Sequence, residues 1–365
     1  MSKKSKTKIQ DIAIEIDENL SYVLSGQLLK GKLVINTLDP LTEIQKIVVE
    51  AHGDGYTMLR PAANAGEGNV RHGQWKEYLK CSSTVMNQVD ESETLTLDSG
   101  RHELPFNFVL PYYLPSSFNT SNKNHNYIRY WIKGTVFFTK DRSATIYKSF
   151  KVREKVALGT LQMKNELKST STDNELVDHK EEPRSIDLTQ TLCCNILRPG
   201  SVHLTFVTDR KAYCAGHSML LTATVENLTR LRLKALKVEL VQCATVIAEG
   251  NSKVIQTKCA SLESDPIEAG DTLEWQNKSF HLPDDLMPTS HSSALIQTQY
   301  ELVVTVVIPM AANLSFRQNV GIATVLDADD DIQSKYQQHV ILQRQLSIQQ
   351  QSQQRQRHNS AVTDV

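Results

Sequence analysis

Apolar residues in this chain recur at every second position and almost nowhere at the three- and four-residue spacing of a helix. Ile12-x-Ile14-x-Ile16 opens the alternation. Short apolar runs at Leu28–Ile35, Ile44–Val49, Thr94–Leu97, Phe106–Leu110 and Ile128–Phe138 continue it. Side chains of a strand point alternately to two faces, so this period specifies half-buried sheet rather than amphipathic helix. Turn formers separate the runs, among them Asp39-Pro40 and Gly53-Asp54-Gly55. Strands resume at Ser201–Phe206, and more are expected at Met219–Val225, Leu236–Val241, Ser279–Leu282 and Tyr300–Ile308. No strong helical period stands before residue 325, so the fold class is all-β.

The two halves of the chain echo each other. Tyr22-x-x-x-Gly26 is matched with Tyr213-x-x-Gly216, and the strands that follow end near Asn36 and Asn227. Phe108-Val109-Leu110-Pro111 with Pro115-Ser116-Ser117 is matched with Phe280-His281-Leu282-Pro283 and Pro288-Thr289-Ser290. A tyrosine-bearing strand follows each, at Tyr130 and Tyr300. An ordered set of echoes points to two tandem β-sandwiches of similar topology. The expected division is a first sandwich over 9–162, a linker over 163–190, a second sandwich over 191–326 and a tail over 327–365. The linker stretch is polar, with little to bury. The tail follows the acidic run Asp327–Asp331, and eleven of the 24 residues from Gln333 to Gln356 are glutamine. That composition cannot build a packed core alone, so a flexible tail is expected.

Charge narrows the function classes. Among 365 residues, 40 are basic and 41 acidic, for a net charge of -1. This balance argues against a nucleic-acid coat or a polybasic membrane binder. Four lysines open the chain, but no signal-type apolar run follows, and no stretch is long enough to insert in a bilayer. A cytoplasmic protein is expected, and its six cysteines are not read as a disulfide framework. No G-x-S-x-G, H-E-x-x-H, P-loop or G-x-G-x-x-G occurs, so the chain reads as no enzyme, and no metal or organic cofactor is implied. Histidines 52, 72, 102 and 125 are scattered along the sequence. Cys193-Cys194 is a vicinal pair, which would make a strained disulfide.

The extreme C-terminus carries a recognition pattern. Thr363-Asp364-Val365 places a hydroxyl two residues before a terminal valine. A PDZ groove adds such a peptide as a strand, buries the valine and bonds the hydroxyl, so Thr363 and Val365 are candidate contacts with a PDZ protein. Arg355-x-Arg357-x-x-Ser360 makes Ser360 a candidate site for a basophilic kinase.

Several of these segments together resemble the alpha-arrestins, the arrestin domain-containing proteins, over roughly residues 11–325. The resemblance runs through Leu95-x-Leu97-x-x-Gly100 and Leu104-Pro105-Phe106-x-Phe108-x-Leu110-Pro111-x-x-Leu114-Pro115-Ser116-Ser117-Phe118. It continues in Ile128-Arg129-Tyr130-Trp131-Ile132-Lys133-Gly134, Cys193-Cys194, Tyr213-x-x-Gly216 and Val225-Glu226-Asn227-Leu228-Thr229. It departs from the family pattern at Ser25-Gly26-Gln27 and Ala215-Gly216-His217, where Pro-Gly-Glu is usual. The resemblance implies two arrestin-type sandwiches in an adaptor that links membrane receptors or transporters to endocytic and ubiquitination machinery. The implied partners are cytosolic segments of membrane proteins and a HECT-type ubiquitin ligase. No Pro-Pro pair exists in the chain, so the usual Pro-Pro-x-Tyr contact with the ligase is missing and an indirect one is expected. The implied location is the cytoplasm, with recruitment to the plasma membrane and endosomes. Lys30 and Lys32, on an early strand, are candidate contacts for acidic or phosphorylated cargo, because related arrestins use basic residues of that domain in this way. Arg129, set between apolar neighbours on a strand, is expected either to pair with a buried acid or to reach a phosphate, with the structural pairing preferred. Two alternatives stand beside the adaptor: a regulator of the thioredoxin-interacting type, and a retromer-type sorting-coat subunit.

Overall fold

A computed structural model describes residues 9–16, 21–59, 71–87, 95–120, 126–139, 141–161, 186–194 and 197–326. The linker centre and the tail, with Ser360, Thr363 and Val365, lie outside the described residues. Among the described residues, two tandem β-sandwiches account for nearly all regular structure, and a helical turn spans 158–161.

The first half of the chain forms β1 (Ile9–Ile16), β2 (Val23–Leu24), β3 (Leu28–Thr37), β4 (Leu41–Leu59), β5 (His72–Asn87), β6 (Leu95–Leu97), β7 (Gly100–Val109), β8 (Phe118–Asn119), β9 (Tyr127–Phe138), β10 (Arg142–Phe150) and β11 (Val152–Arg153). One sheet has the order β1-β3-β7, the other β10-β9-β4-β5 with β6 and β8 added at its margins. Their inner faces enclose a core in which Leu33, Ile35, Ile44, Ile47, Leu110 and Ile132 are fully buried. Alternation in β9 puts Ile128, Tyr130 and Ile132 inside, which leaves Tyr127, Arg129 and Trp131 facing out.

The second half forms β12 (Ile186–Cys194), β13 (Leu197–Thr208), β14 (Ala212–Cys214), β15 (Ser218–Asn227), β16 (Ala235–Ala248), β17 (Asn251–Glu263), β18 (Thr272–His281), β19 (Ile296–Val307) and β20 (Leu314–Ala323). Its sheets have the orders β12-β13-β15-β18 and β14-β20-β19-β16-β17. Phe206, Leu204, Leu236, Tyr300 and Leu302 lie at the centre of its core. As compact units the halves are not simply sequential: the first unit also takes residues 246–253 and 293–296, and Leu295 and Ile296 are part of its core.

Gly53-Asp54-Gly55 is not a turn. It lies inside the 19-residue strand β4. The glycines are there for close packing. A Cβ on Gly53 would stand 2.4 Å from the Tyr130 ring, and one on Gly55 would stand 2.9 Å from Leu295 and Tyr78.

Hydrogen bonds show which echoes are equivalent. Gly26 and Gly216 both hold positive φ, at 81° and 80°. Their N–H groups donate to Pro111 and Pro283 at 3.1 and 3.2 Å. The next residues, Gln27 and His217, donate back to Leu24 and Cys214, and Leu110 and Leu282 donate to Gln27 and His217. Only glycine meets this conformation without a Cβ penalty. The tyrosine corners also match: Tyr130 Oη donates to the Pro115 carbonyl at 2.7 Å and Tyr300 Oη to that of Met287 at 2.8 Å. Ser117 and Thr289 each hold the closing strand twice, their N–H donating to a carbonyl of Val152 or Ile322 and their hydroxyl accepting from the N–H of the same residue. Pro115 therefore corresponds to Met287, and Pro288 to Ser116. Tyr22 and Tyr213 are offset by one residue, since Val23 and Leu24 pair with β11 as Tyr213 and Cys214 pair with β20.

Candidate functional site: an aromatic face around Arg129

The outer face of β4 and β9 concentrates aromatic and charged side chains. Cross-strand register sets His52 opposite Trp131, Asp54 opposite Arg129 and Tyr56 opposite Tyr127, and Tyr56 also lies opposite Trp75 of β5. Arg129 Nε donates to Asp54 Oδ1 at 2.8 Å and its Nη2 donates to Oδ2 at 3.2 Å. Trp75 Nε1 donates to the same Oδ2 at 3.2 Å. Asp54 is buried at 8%, so the expected pairing of Arg129 with a buried acid is present. The guanidinium lies 4.6 Å from the Tyr127 ring centre and 5.2 Å from that of Trp131. His52 stacks on the far side of the row, 5.4 Å from Trp131 and 13° from parallel. In the next row, Lys133 pairs with Glu50 at 3.0 Å.

This geometry fixes an arginine without burying it. The Arg129 side chain is 59% exposed and residue Trp75 58%. The Asp54 hydrogen bonds raise the Arg129 pKa, so its charge is permanent. Burial, then the Asp54 charge, raises that of Tyr127. Two N–H groups of the guanidinium go to Asp54, and the fork has five, so donors remain for a partner. Contact with the two rings is worth about 0.5–1 kcal/mol each at an exposed site, and it holds the fork in one orientation. A rigid Arg beside exposed Trp and Tyr has the composition of a protein-binding hot spot.

Lys30 and Lys32 share the outer face of β3 but differ in state. Lys32 Nζ lies 2.7 Å from Glu103, which also meets Arg101 at 3.0 Å, and Arg101 reaches Glu15 at 3.0 Å. Both Lys32 and Arg101 are thus engaged in an exposed network whose single pairs are worth about 0–1 kcal/mol. Lys30 has no ion pair among the described residues.

Burial raises the thiols of Cys81, Cys214, Cys243 and Cys259, which makes them poor nucleophiles. The side chains of Cys193 and Cys194 lie outside those described. Among the described residues no group of three or more His, Cys, Asp or Glu is gathered to hold a metal ion.

The sequence reading reached Arg129 but not Asp54, Trp75, Tyr127 or His52 as its companions. Trp131, Tyr127 and Arg129 are legible as one strand face by their spacing of two. Asp54 was hidden by its two glycines, which read as a turn, and Trp75 lies on an edge strand with no clean alternation.

Comparison with known proteins agrees with this architecture. Residues 12–159 match the family model of the arrestin (or S-antigen) N-terminal domain, and 198–326 match that of the C-terminal domain. Arrestin domain-containing protein 4 of Mus musculus is 24% identical over 314 residues, covering 85% of this chain and 70% of that protein. The Homo sapiens form of the same protein is also 24% identical over 314 residues, with the same coverage. Thioredoxin-interacting protein of Homo sapiens is 22% identical over 307 residues, covering 83% of this chain and 71% of that protein. Two domain matches in tandem, the doubled turn and corner hydrogen bonds, and these relatives place the chain in the arrestin family, among the alpha-arrestins.

Proposed function

We propose that this protein is a non-enzymatic adaptor that binds cytosolic segments of membrane receptors or transporters and brings them to endocytic and ubiquitination machinery. The observation that carries the reading is the Arg129 fork, fixed by Asp54 between Tyr127 and Trp131 and left open beside Trp75. A cargo carboxylate or backbone carbonyl would meet the remaining N–H groups, and cargo side chains would pack on Trp75 and Tyr56. Lys30 and Lys32 offer cations on the other sheet of the same unit. The tail is the second arm: Thr363 and Val365 engage a PDZ protein, Ser360 phosphorylation tunes that contact, and a HECT-type ligase joins indirectly. In this reading the protein is cytoplasmic and moves to the plasma membrane and endosomes with its cargo. One relative is named for thioredoxin; here the four described thiols are held up in pKa by burial, which favours the adaptor over a thiol-exchange regulator.

The test is affinity capture with quantitative mass spectrometry from native cells. It compares the full chain, Trp75→Ala, Arg129→Gln and a chain ending at Asp331. Membrane cargo should fall about tenfold or more with either substitution, as expected for a central aromatic or arginine contact. The truncated chain should keep cargo and lose the PDZ partner and ligase. Recovery of no membrane protein by the full chain, or equal recovery by all four, would sink the reading.

A further inference from the structure

The turn between β16 and β17 breaks a local rule. Ala248 ends one strand and Asn251 begins the next, so Glu249 and Gly250 form a two-residue hairpin loop. Both hold positive φ, at 49° and 79°. Such a loop favours Asn-Gly or Asp-Gly, because a short polar side chain tolerates the left-handed region and a longer one does so poorly. Gly250 obeys the rule and Glu249 does not. Two contacts account for the departure. Glu249 Oε2 lies 3.0 Å from His72 Nδ1, and the Glu249 N–H donates to Gln74 Oε1 at 3.0 Å. An Asn or Asp side chain is one carbon shorter than the reach that the His72 contact uses.

Both contacts fall at the start of β5. That strand lies at the end of its sheet, hydrogen-bonded to β4 on one side, and it begins at His72. Trp75 is its fourth residue. Strand ends of this kind open at little cost unless something pins them. Gln74 is the cross-strand partner of Thr57, next to the Tyr56–Trp75 pair. Thr57 is fully buried, and its hydroxyl donates to the Ile247 carbonyl at 2.6 Å. The Ile247 N–H donates in turn to the Leu295 carbonyl at 2.8 Å. One hairpin tip, residues 246–253 of the same compact unit, therefore backs the strand segments that carry Tyr56 and Trp75. An aromatic anchor binds more tightly when it is ordered before the partner arrives.

We propose that Glu249 is a positioning residue for the Arg129 face. It clamps His72 and Gln74, so that the first residues of β5 hold Trp75 ready for a partner. This role rests on the reading of that face as the cargo site, while the clamp itself can be measured without cargo.

The test labels the full-length chain with 5-fluorotryptophan and assigns the Trp75 resonance by its loss in Trp75→Phe. Glu249→Asn gives the turn its favoured residue and removes the clamp. It should shift and broaden the Trp75 signal, leave that of Trp275 in place, and speed hydrogen exchange over residues 72–77 about tenfold. The unfolding midpoint should stay within about 3 °C, because the better turn offsets the lost contact. Glu249→Gln keeps the length and an acceptor for His72, and should return exchange to within about threefold of the wild-type rate. A turn that needs only its best residue predicts the opposite order, with the Asn variant at least as protected as the wild type. That order, or an unmoved Trp75 signal, would overturn the proposal. In the capture experiment Glu249→Asn should lower membrane cargo about threefold. Full recovery of cargo by Glu249→Asn, when Trp75→Ala loses it, would also overturn the positioning role. Full recovery by Trp75→Ala would instead sink the cargo reading alone, and the fluorine and exchange changes would still establish Glu249 as the residue that holds Trp75.

Discussion

The two sandwiches repeat each other's hydrogen bonds and almost none of each other's surface. Gly26 and Gly216, Ser117 and Thr289, and the corner tyrosines 130 and 300 make the same bonds in both. The outward neighbours of those tyrosines differ. Arg129 and Trp131 flank Tyr130, while Gln299 and Glu301 flank Tyr300. The aromatic face around Arg129 belongs to the first sandwich. The shared set is therefore what this backbone needs in order to close, and the unshared set is where selection for partners has room to act.

Equivalent substitutions in the two copies can break or sharpen this comparison. The largest effect is expected in the cores. Phe108 and Phe280 are buried at matching positions, and Phe→Ala at either should cost about 3–5 kcal/mol in urea unfolding. Costs differing by more than about 2 kcal/mol would show that the cores are not equivalent. The corner tyrosines come next. Tyr130→Phe orphans the buried Pro115 carbonyl, at about 1–3 kcal/mol. Tyr300→Phe should cost more within that range, because its hydroxyl also accepts from Gln242 Nε2 at 2.8 Å. Equal costs would assign the Gln242 bond no weight.

Smaller effects follow at the turns. Gly26→Ala and Gly216→Ala both force positive φ, at about 1–2 kcal/mol each by thermal unfolding. Gly26→Ala should be the worse, since its Cβ meets a tyrosine ring and that of Gly216 meets a carboxylate oxygen. The reverse order would mean that the Tyr112 ring moves aside more easily than Asp284. The smallest effect at neutral pH concerns Tyr78, whose hydroxyl contacts Ser293 at 2.9 Å and whose pKa burial pushes up to about 12. A folded-state pKa above the ordinary 10.0 gives stability that is complete below pH 10 and is lost as pH rises toward 12. Unfolding measured from pH 9 to 12 should show that fall, and Tyr78→Phe should flatten it. An unchanged slope would mean that Tyr78 ionises as freely folded as unfolded.

Legibility in the sequence followed burial. β3, β9, β15 and β19 have one inner and one outer face, so their apolar residues alternate and could be read directly. β5 and β17 run along sheet edges with polar, half-exposed side chains, so their sequences carry no such period. The doubling of the fold was legible, but its alignment by residue identity slipped by one at Tyr22 and Pro115. What is repeated is a set of backbone bonds, which other residue types can also make: Met287 offers the same carbonyl as Pro115. The Arg129 cluster was half legible because strand pairing decides which distant residue lies opposite, and a single chain does not state its register.

The discontinuous make-up of the first unit sets a schedule for its synthesis. Val23 can pair with Val152 as soon as the first half has emerged from the ribosome. Leu295, fully buried in the same core, and residues 246–253 are made much later. At roughly 5–20 residues per second the nascent first sandwich waits on the order of ten seconds with that part of its core uncovered. During that interval, chaperones and proteases meet a half-finished protein, so substitutions at 246–253 or 293–296 should lower yield in cells more than they lower the stability of the finished chain.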